Sequence, residues 1–158
     1  MIEGSPNFMR KAIALAVDNV RSGAGGPFGA VVVRDGVIVA EGVNRVTATN
    51  DPTAHAEVVA IRAACEALGD FQLTGCAVYT SCEPCPMCLA ALYWSRCDAI
   101  YYGCSAADAA DAGFDDSFLY EEVARPVGQR KIPTKRLLGD EAIESFNAWR
   151  AQANKIEY

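Results

Sequence analysis

The chain contains a single histidine, His55, among 158 residues. Positive charge is also scarce, with 14 lysines and arginines against 20 aspartates and glutamates and a net charge of −6. Proteins that grip a nucleic-acid backbone carry a basic footprint, so no nucleic-acid partner is expected. No apolar run is long enough to span a bilayer, and the mean hydropathy is only +0.08. The opening "MIEGSPNFMRKAIALAVDNV" has no basic leader, and its apolar residues are spaced rather than continuous, unlike a signal peptide. No membrane partner is expected, and the cytoplasm is the expected compartment. There is no internal repeat, low-complexity tract or linker, so residues 1–158 are expected to form a single domain. With 51% apolar residues, a substantial core is available to it.

What is present begins with seven cysteines, an odd number. In a reducing compartment cysteines are metal ligands or buried thiols more often than disulfides. Around them the periodicity alternates between helix and strand. Residues 8–22 read as an amphipathic helix broken by "SGAGGPFG". "AVVVRDGVIVAEG" reads as a hairpin, because Asp35-Gly36 lies between two β-branched runs. "TNDPTAHAEVVAIRAACEAL" reads as a helix capped by Asp51 or Thr53, with Pro52 in its first turn. "CAVYTS" is a buried strand, and "CEPCPMCLAALYWSR" a turn entering a helix. "AIYYGCS" is the next strand, and "AADAADAG" a short helix. Residues 121–138 have room for an edge strand, and "GDEAIESFNAWRAQAN" is a last helix. Strands that alternate with helices pair in parallel. The expected fold is therefore α/β, a three-layer α/β/α with a mixed sheet of about five strands.

Two motifs carry chemistry. In "EPCPMC", Cys85 and Cys88 have the spacing that lets two thiolates at a helix start share one ion. With His55 they make three ligands, where structural zinc usually takes four. Three protein ligands leave a position for water, the pattern of catalytic zinc, and such zinc makes hydroxide available near neutral pH. One Zn2+ per chain is therefore expected. Glu57, two residues after His55, is expected to act as a base beside that water and not as a ligand. Either motif alone is weak: a lone histidine is usually an ordinary cap, and a lone CxxC is often redox or structural. Both leading into helices are far more specific. Cys82 is a substitute ligand that fits less well, and Cys65, Cys76, Cys97 and Cys104 read as small buried apolar residues.

His55-Ala56-Glu57 followed by Pro84-Cys85-Pro86-Met87-Cys88 matches the known H-x-E…P-C-x-x-C signature of zinc nucleobase deaminases. On these residues the chain resembles the cytidine and deoxycytidylate deaminase superfamily. Within it, "GGPFGAVVV", "NDPTAHAEV", "TSCEPCPMC", "AGFDDSF" and the tail "AWRAQANKIEY" resemble the bacterial guanine-deaminase branch over nearly the whole chain. "GPFGA" and "AHAE" are shared with tRNA adenosine deaminases. "GFDD" and the aromatic tail recur in plant guanosine deaminases.

The resemblance implies hydrolysis of guanine to xanthine and ammonia, with Glu57 and Asp116 as catalytic residues. It also implies substrate contacts from Asn44 to a purine edge, from Asp116 to N1–H and the amino side, and from the backbone at Ala56. Phe28 and Trp94 are implied stacking faces. Tyr158 is implied to close the pocket of its own or a neighbouring subunit, in a homodimer whose C-terminal stretch, about 139–158, is open to exchange. Other readings are a guanosine deaminase, a tRNA adenosine deaminase, which needs a basic surface, and a cytosine deaminase, whose substrate has no obvious use for Asp116. A non-enzymatic, zinc-stabilised binding module would have no need of Glu57.

Overall fold

Asp35 and Gly36 lie at the start of the sheet. Both have positive φ, 51° and 75°, the type I′ geometry that joins two strands with the correct twist. They connect β1 (Gly29–Arg34) to β2 (Val37–Val43) in an antiparallel pair with an irregularity between Val32 and Val33. β3 (Cys76–Cys82) pairs antiparallel with β1, and β4 (Ala99–Cys104) pairs parallel with β3. The sheet order is β2-β1-β3-β4.

This computed structural model describes residues 4–158. The first three residues, which head the stretch read above as lacking a basic leader, lie outside the described residues. The chain forms two compact units, Met1–Asp116 and Ser117–Tyr158.

In the first unit, β1 is buried on both faces, which is why it reads as an unbroken apolar run rather than an alternating one. Val31 and Val33 pack with Ala77 and Tyr79 beneath Ala12 of α1 (Pro6–Arg21). Ala30 and Val32 face the other way, with Val78. There they meet Ala56, Ala60 and Ala64 of α3 (Ala56–Leu68) and Leu92 of α4 (Pro86–Trp94). The alanines recur every fourth residue and so form one helix face. The expected three-layer α/β/α arrangement holds. Gly42 fixes how closely α3 lies on the sheet: a Cβ there would collide with the Ala56 carbonyl and come within 2.6 Å of the Ala60 nitrogen.

Two boundaries differ from expectation. A short α2 (Val46–Thr49) precedes α3, and α3 begins only at Ala56. Asp51 turns the chain instead of capping the helix: its Oδ1 accepts from the Thr53 N–H at 2.8 Å and from the Thr53 hydroxyl at 2.7 Å. The N-cap is His55. Cys104, expected to be buried, is exposed, because it ends β4, the outer strand of the sheet. The first unit closes with α5 (Ala106–Asp111).

The second unit holds α6 (Ser117–Ala124), a 3-10 turn (Val127–Gln129) and α7 (Gly139–Ala151). The edge strand allowed for in 121–138 is absent among the described residues, so the sheet has four strands where about five were expected. Pro126 begins the 3-10 turn and cannot donate to a strand ladder. No helix among the described residues is long and apolar enough to cross a membrane.

Candidate active site

β2 and β3 both run antiparallel to β1, and β4 runs parallel to β3. The C-terminal ends of β2, β3 and β4 therefore share one edge of the sheet, where open α/β sheets bind ligands. The chains leaving that edge enter helices. His55 is the N-cap of α3, Cys85 the N-cap of α4, and neither side chain caps its own helix. Pro86 at the first position of α4 gives up no helical hydrogen bond. Both metal-motif residues are thus presented at the positive ends of helices.

His55 Nδ1 lies 3.6 Å from Cys85 Sγ and 3.5 Å from Cys88 Sγ. The three ligand atoms all lie within 4.8 Å of one another, the one such group of metal-ligating side chains among the described residues. For tetrahedral zinc with bonds of about 2.1 Å to nitrogen and about 2.3 Å to sulfur, N···S separations come to about 3.6 Å. Both N···S separations therefore match a tetrahedral zinc site. Within the protein, negative charge settles on Cys85, lowered to about 4 by the hydrogen bond from Cys88 and by His55. Cys88, the donor in that pair, is raised, and His55 is raised chiefly by its bond to Cys85. Burial pushes Cys82 up to about 11. Its sulfur is not one of the three ligand atoms that gather, which removes it as the substitute ligand.

Glu57, one residue into α3, is only 6% exposed. Burial raises its pKa first, and the neighbouring Cys85 charge adds to the rise. A carboxyl held above its ordinary range beside a metal site is suited to taking up and releasing a proton.

A cavity of about 570 Å³ opens in front of these groups. His55, Glu57 and Cys85 line it together with Phe28, Asn44 and Asp116. Asn44 is buried. Its Oδ1 accepts from the Val46 N–H at 3.3 Å, which orients the amide. Its main-chain carbonyl accepts from Asn19 Nδ2 at 2.9 Å, and the same nitrogen donates to the Gly26 carbonyl at 2.8 Å. The glycine loop and Asn44 are thereby tied to α1. Burial raises Asp116, and the Cys85 charge raises it further.

The structure does not gather every expected residue. Trp94 is not part of this cavity wall. It ends α4, a nine-residue helix, about 13 Å along the axis from Cys85 at 1.5 Å per residue. It is 62% exposed, with the Arg96 guanidinium 5.8 Å from its ring centroid. Ala56 has a fully buried side chain. Only its backbone is available, as a first-turn N–H between His55 and Glu57 that has no helical acceptor. Tyr158 belongs to the second unit.

Sequence reasoning missed Phe114. It lines the cavity and meets Phe28 edge-on, with ring centroids 5.0 Å apart at 86°. The signal was its place in "GFDD", directly before the acids. The Glu83 side chain also lines the cavity and was not singled out.

A mixed sheet that delivers His, Cys and Cys to one point beside a buried glutamate, at the mouth of a base-sized cavity, is the architecture of a zinc-dependent deaminase. The chain belongs to the cytidine and deoxycytidylate deaminase zinc-binding family, whose model matches residues 3–104. It is 56% identical over 151 residues to the guanine deaminase of Bacillus subtilis, covering 96% of this chain and 97% of that one. The X-ray structure of a B. subtilis guanine deaminase superposes with a TM-score of 0.95 at 54% identity, over 99% of each chain. A tRNA-specific adenosine deaminase of Agrobacterium fabrum is 51% identical, but over 77 residues, 49% of this chain and 51% of that one.

Proposed function

We propose that this protein hydrolyses guanine to xanthine and ammonia, a step of purine catabolism or salvage. The observation that carries this reading is the make-up of one cavity, in which His55 and Cys85 of the metal triad, Glu57, Asn44 and Asp116 are all lining groups. The relative that matches over the whole length is a guanine deaminase, whereas the tRNA adenosine deaminase matches over half.

Zinc bound by His55, Cys85 and Cys88 supplies a hydroxide-equivalent nucleophile at neutral pH and stabilises developing negative charge. Glu57 takes the proton of the attacking water and delivers it to N3 of guanine. It then takes the remaining proton from the hydroxyl now on C2 and passes it to the leaving amine, so the water oxygen stays on C2 as a carbonyl and ammonia departs. Asp116 accepts from N1–H and from the amino side. The Asn44 amide donates to an acceptor on the purine edge. A buried polar edge left without its partner costs about 1–3 kcal/mol, so these two side chains select the base. Phe28, braced by Phe114, covers the ring face.

A homodimer belongs to the same proposal, with Tyr158 supplied to the pocket in the assembled enzyme. It is supported by the second unit, in which none of the described residues is buried. Phe146 and Leu137, for example, are among its exposed apolar residues. Apolar surface on this scale seeks a partner.

The test is ammonia release from guanine, guanosine, cytosine, adenine and an adenosine-bearing tRNA stem-loop, with zinc counted on the same sample. Turnover of guanine is expected. Turnover of guanosine instead keeps the chemistry and changes the substrate. Release from the stem-loop alone overturns the reading, and no release at one zinc per chain favours a binding module.

A further inference from the structure

We propose that the Glu83 side chain is a positioning residue that docks the wall carrying Phe114 and Asp116 onto the zinc-binding turn. This rests on the guanine reading for what that wall recognises. Glu83 lies between β3 and Pro84-Cys85, in the turn that presents the metal ligands. It is anchored twice. Its N–H donates to the Cys104 carbonyl at 2.8 Å, which extends the β3–β4 ladder by one bond. Its Oε2 accepts from the Ala106 N–H at 3.0 Å. The two contacts bracket Ser105, the N-cap of α5.

Packing holds α5 only in part, because none of its residues is fully buried, Ala106, Ala109 and Ala110 being half-buried, and the helix is too short to be stable alone. Polar contacts add to its placement. Ser105 and Asp108 form a reciprocal capping box that keeps the first turn wound, but the box is internal to the segment and attaches it to nothing. The attachment runs through Glu83, with a weaker contact from Cys82 Sγ to the Ser105 carbonyl at 3.6 Å. From α5 the chain turns at Gly113, φ 92°. The Phe114 N–H returns to the Ala109 carbonyl at 2.9 Å. Phe114 then meets Phe28, and Asp116 follows. A displacement of α5 is thus passed to both residues. Catalysis tolerates little misplacement of such groups.

The experiment compares Glu83→Ala and Glu83→Gln with the zinc-loaded wild-type protein. Three quantities are read: zinc per chain, kcat/KM on guanine, and amide hydrogen exchange across residues 105–116. Gln keeps an acceptor oxygen for the Ala106 N–H and loses only the charge. Glu83→Ala is expected to keep its zinc, to exchange faster across 105–116, and to lose about tenfold or more in kcat/KM, the scale of one charge-assisted hydrogen bond. Glu83→Gln is expected to recover most of both losses. Equal losses in the two variants would overturn the proposal by assigning Glu83 a role that needs its charge. Unchanged exchange in Glu83→Ala, or loss of its zinc, would also overturn it. Should the wild type fail on guanine, the functional reading falls, while the exchange comparison still decides whether Glu83 docks the segment.

Discussion

Glu57 is where residue-scale chemistry is concentrated. A carboxylate in the first turn of a helix is ordinarily solvated and helps the helix dipole. Here the alanine face of α3 brings the first turn down onto the sheet, so the same residue is buried, and burial raises its pKa. Replacing it with glutamine preserves size and removes the proton-carrying group. Glu57→Gln is expected to retain one zinc per chain and to lose roughly 10²–10⁴-fold in kcat. Metal analysis and ammonia release on one sample check this, and a variant turning over at the normal rate would take the proton-carrier role away from Glu57. Asn44 shows how a local bond narrows a side chain's options. An amide offers a donor and an acceptor, and the Val46 N–H takes one lone pair of the acceptor, which fixes the orientation of the Asn44 amide.

Among the elements, α5 depends most on its cap. The Asp108 carboxylate accepts from the Ser105 N–H at 2.7 Å and from its hydroxyl at 2.6 Å. These bonds hold its pKa below the ordinary 3.8. A depressed carboxylate pKa means that the ionised form stabilises the fold. The contribution is therefore fully present above pH 3.8 and is lost as the pH falls through the lowered value. Asp108 is solvent-exposed, so screening keeps the effect small. The difference in urea stability between wild type and Asp108→Ala is expected to stay constant from neutral pH down to about pH 4 and to shrink below it. A difference that survived unchanged at about pH 3 would mean that the ionised cap is not its source.

For the whole molecule, stability, assembly and metal binding are linked. A ligand that binds only the folded state stabilises it by an amount that grows with the logarithm of its concentration over Kd, and zinc held by His55, Cys85 and Cys88 would tie α3 to α4. Chelation is expected to lower the Tm by several degrees and to abolish turnover, with zinc alone restoring both. In sedimentation the zinc-loaded protein is expected at twice the 16.8 kDa chain mass. A particle of single-chain mass would remove the homodimer.

The residues that do chemistry were legible because their spacing is chemistry. His-x-Glu and Cys-x-x-Cys before helical runs specify a three-ligand site whatever surrounds them, and the Asp35-Gly36 turn and the apolar run of β1 specify the first half of the sheet. The start of α3 was misjudged because Asp51 and Thr53 cap a helix and close a turn with the same hydrogen bonds. The strand allowed for in 121–138 failed against Pro126. Trp94, implied as a stacking face by the resemblance, is close to Cys85 and Cys88 in sequence, but the axial rise along α4 places it outside the cavity wall. Phe114 and Glu83 were passed over for the opposite reason. The sequence separates them by thirty residues, and they come to the same cavity only because β3 and β4 pair in parallel, side by side. By itself the sequence picked out the three candidate ligands, the carboxyl beside them and the layer architecture, all set by local spacing. Tertiary structure alone decided which aromatic braces the pocket and which side chain holds α5 to the metal turn, because those are distances between elements, and no periodicity along a chain encodes them.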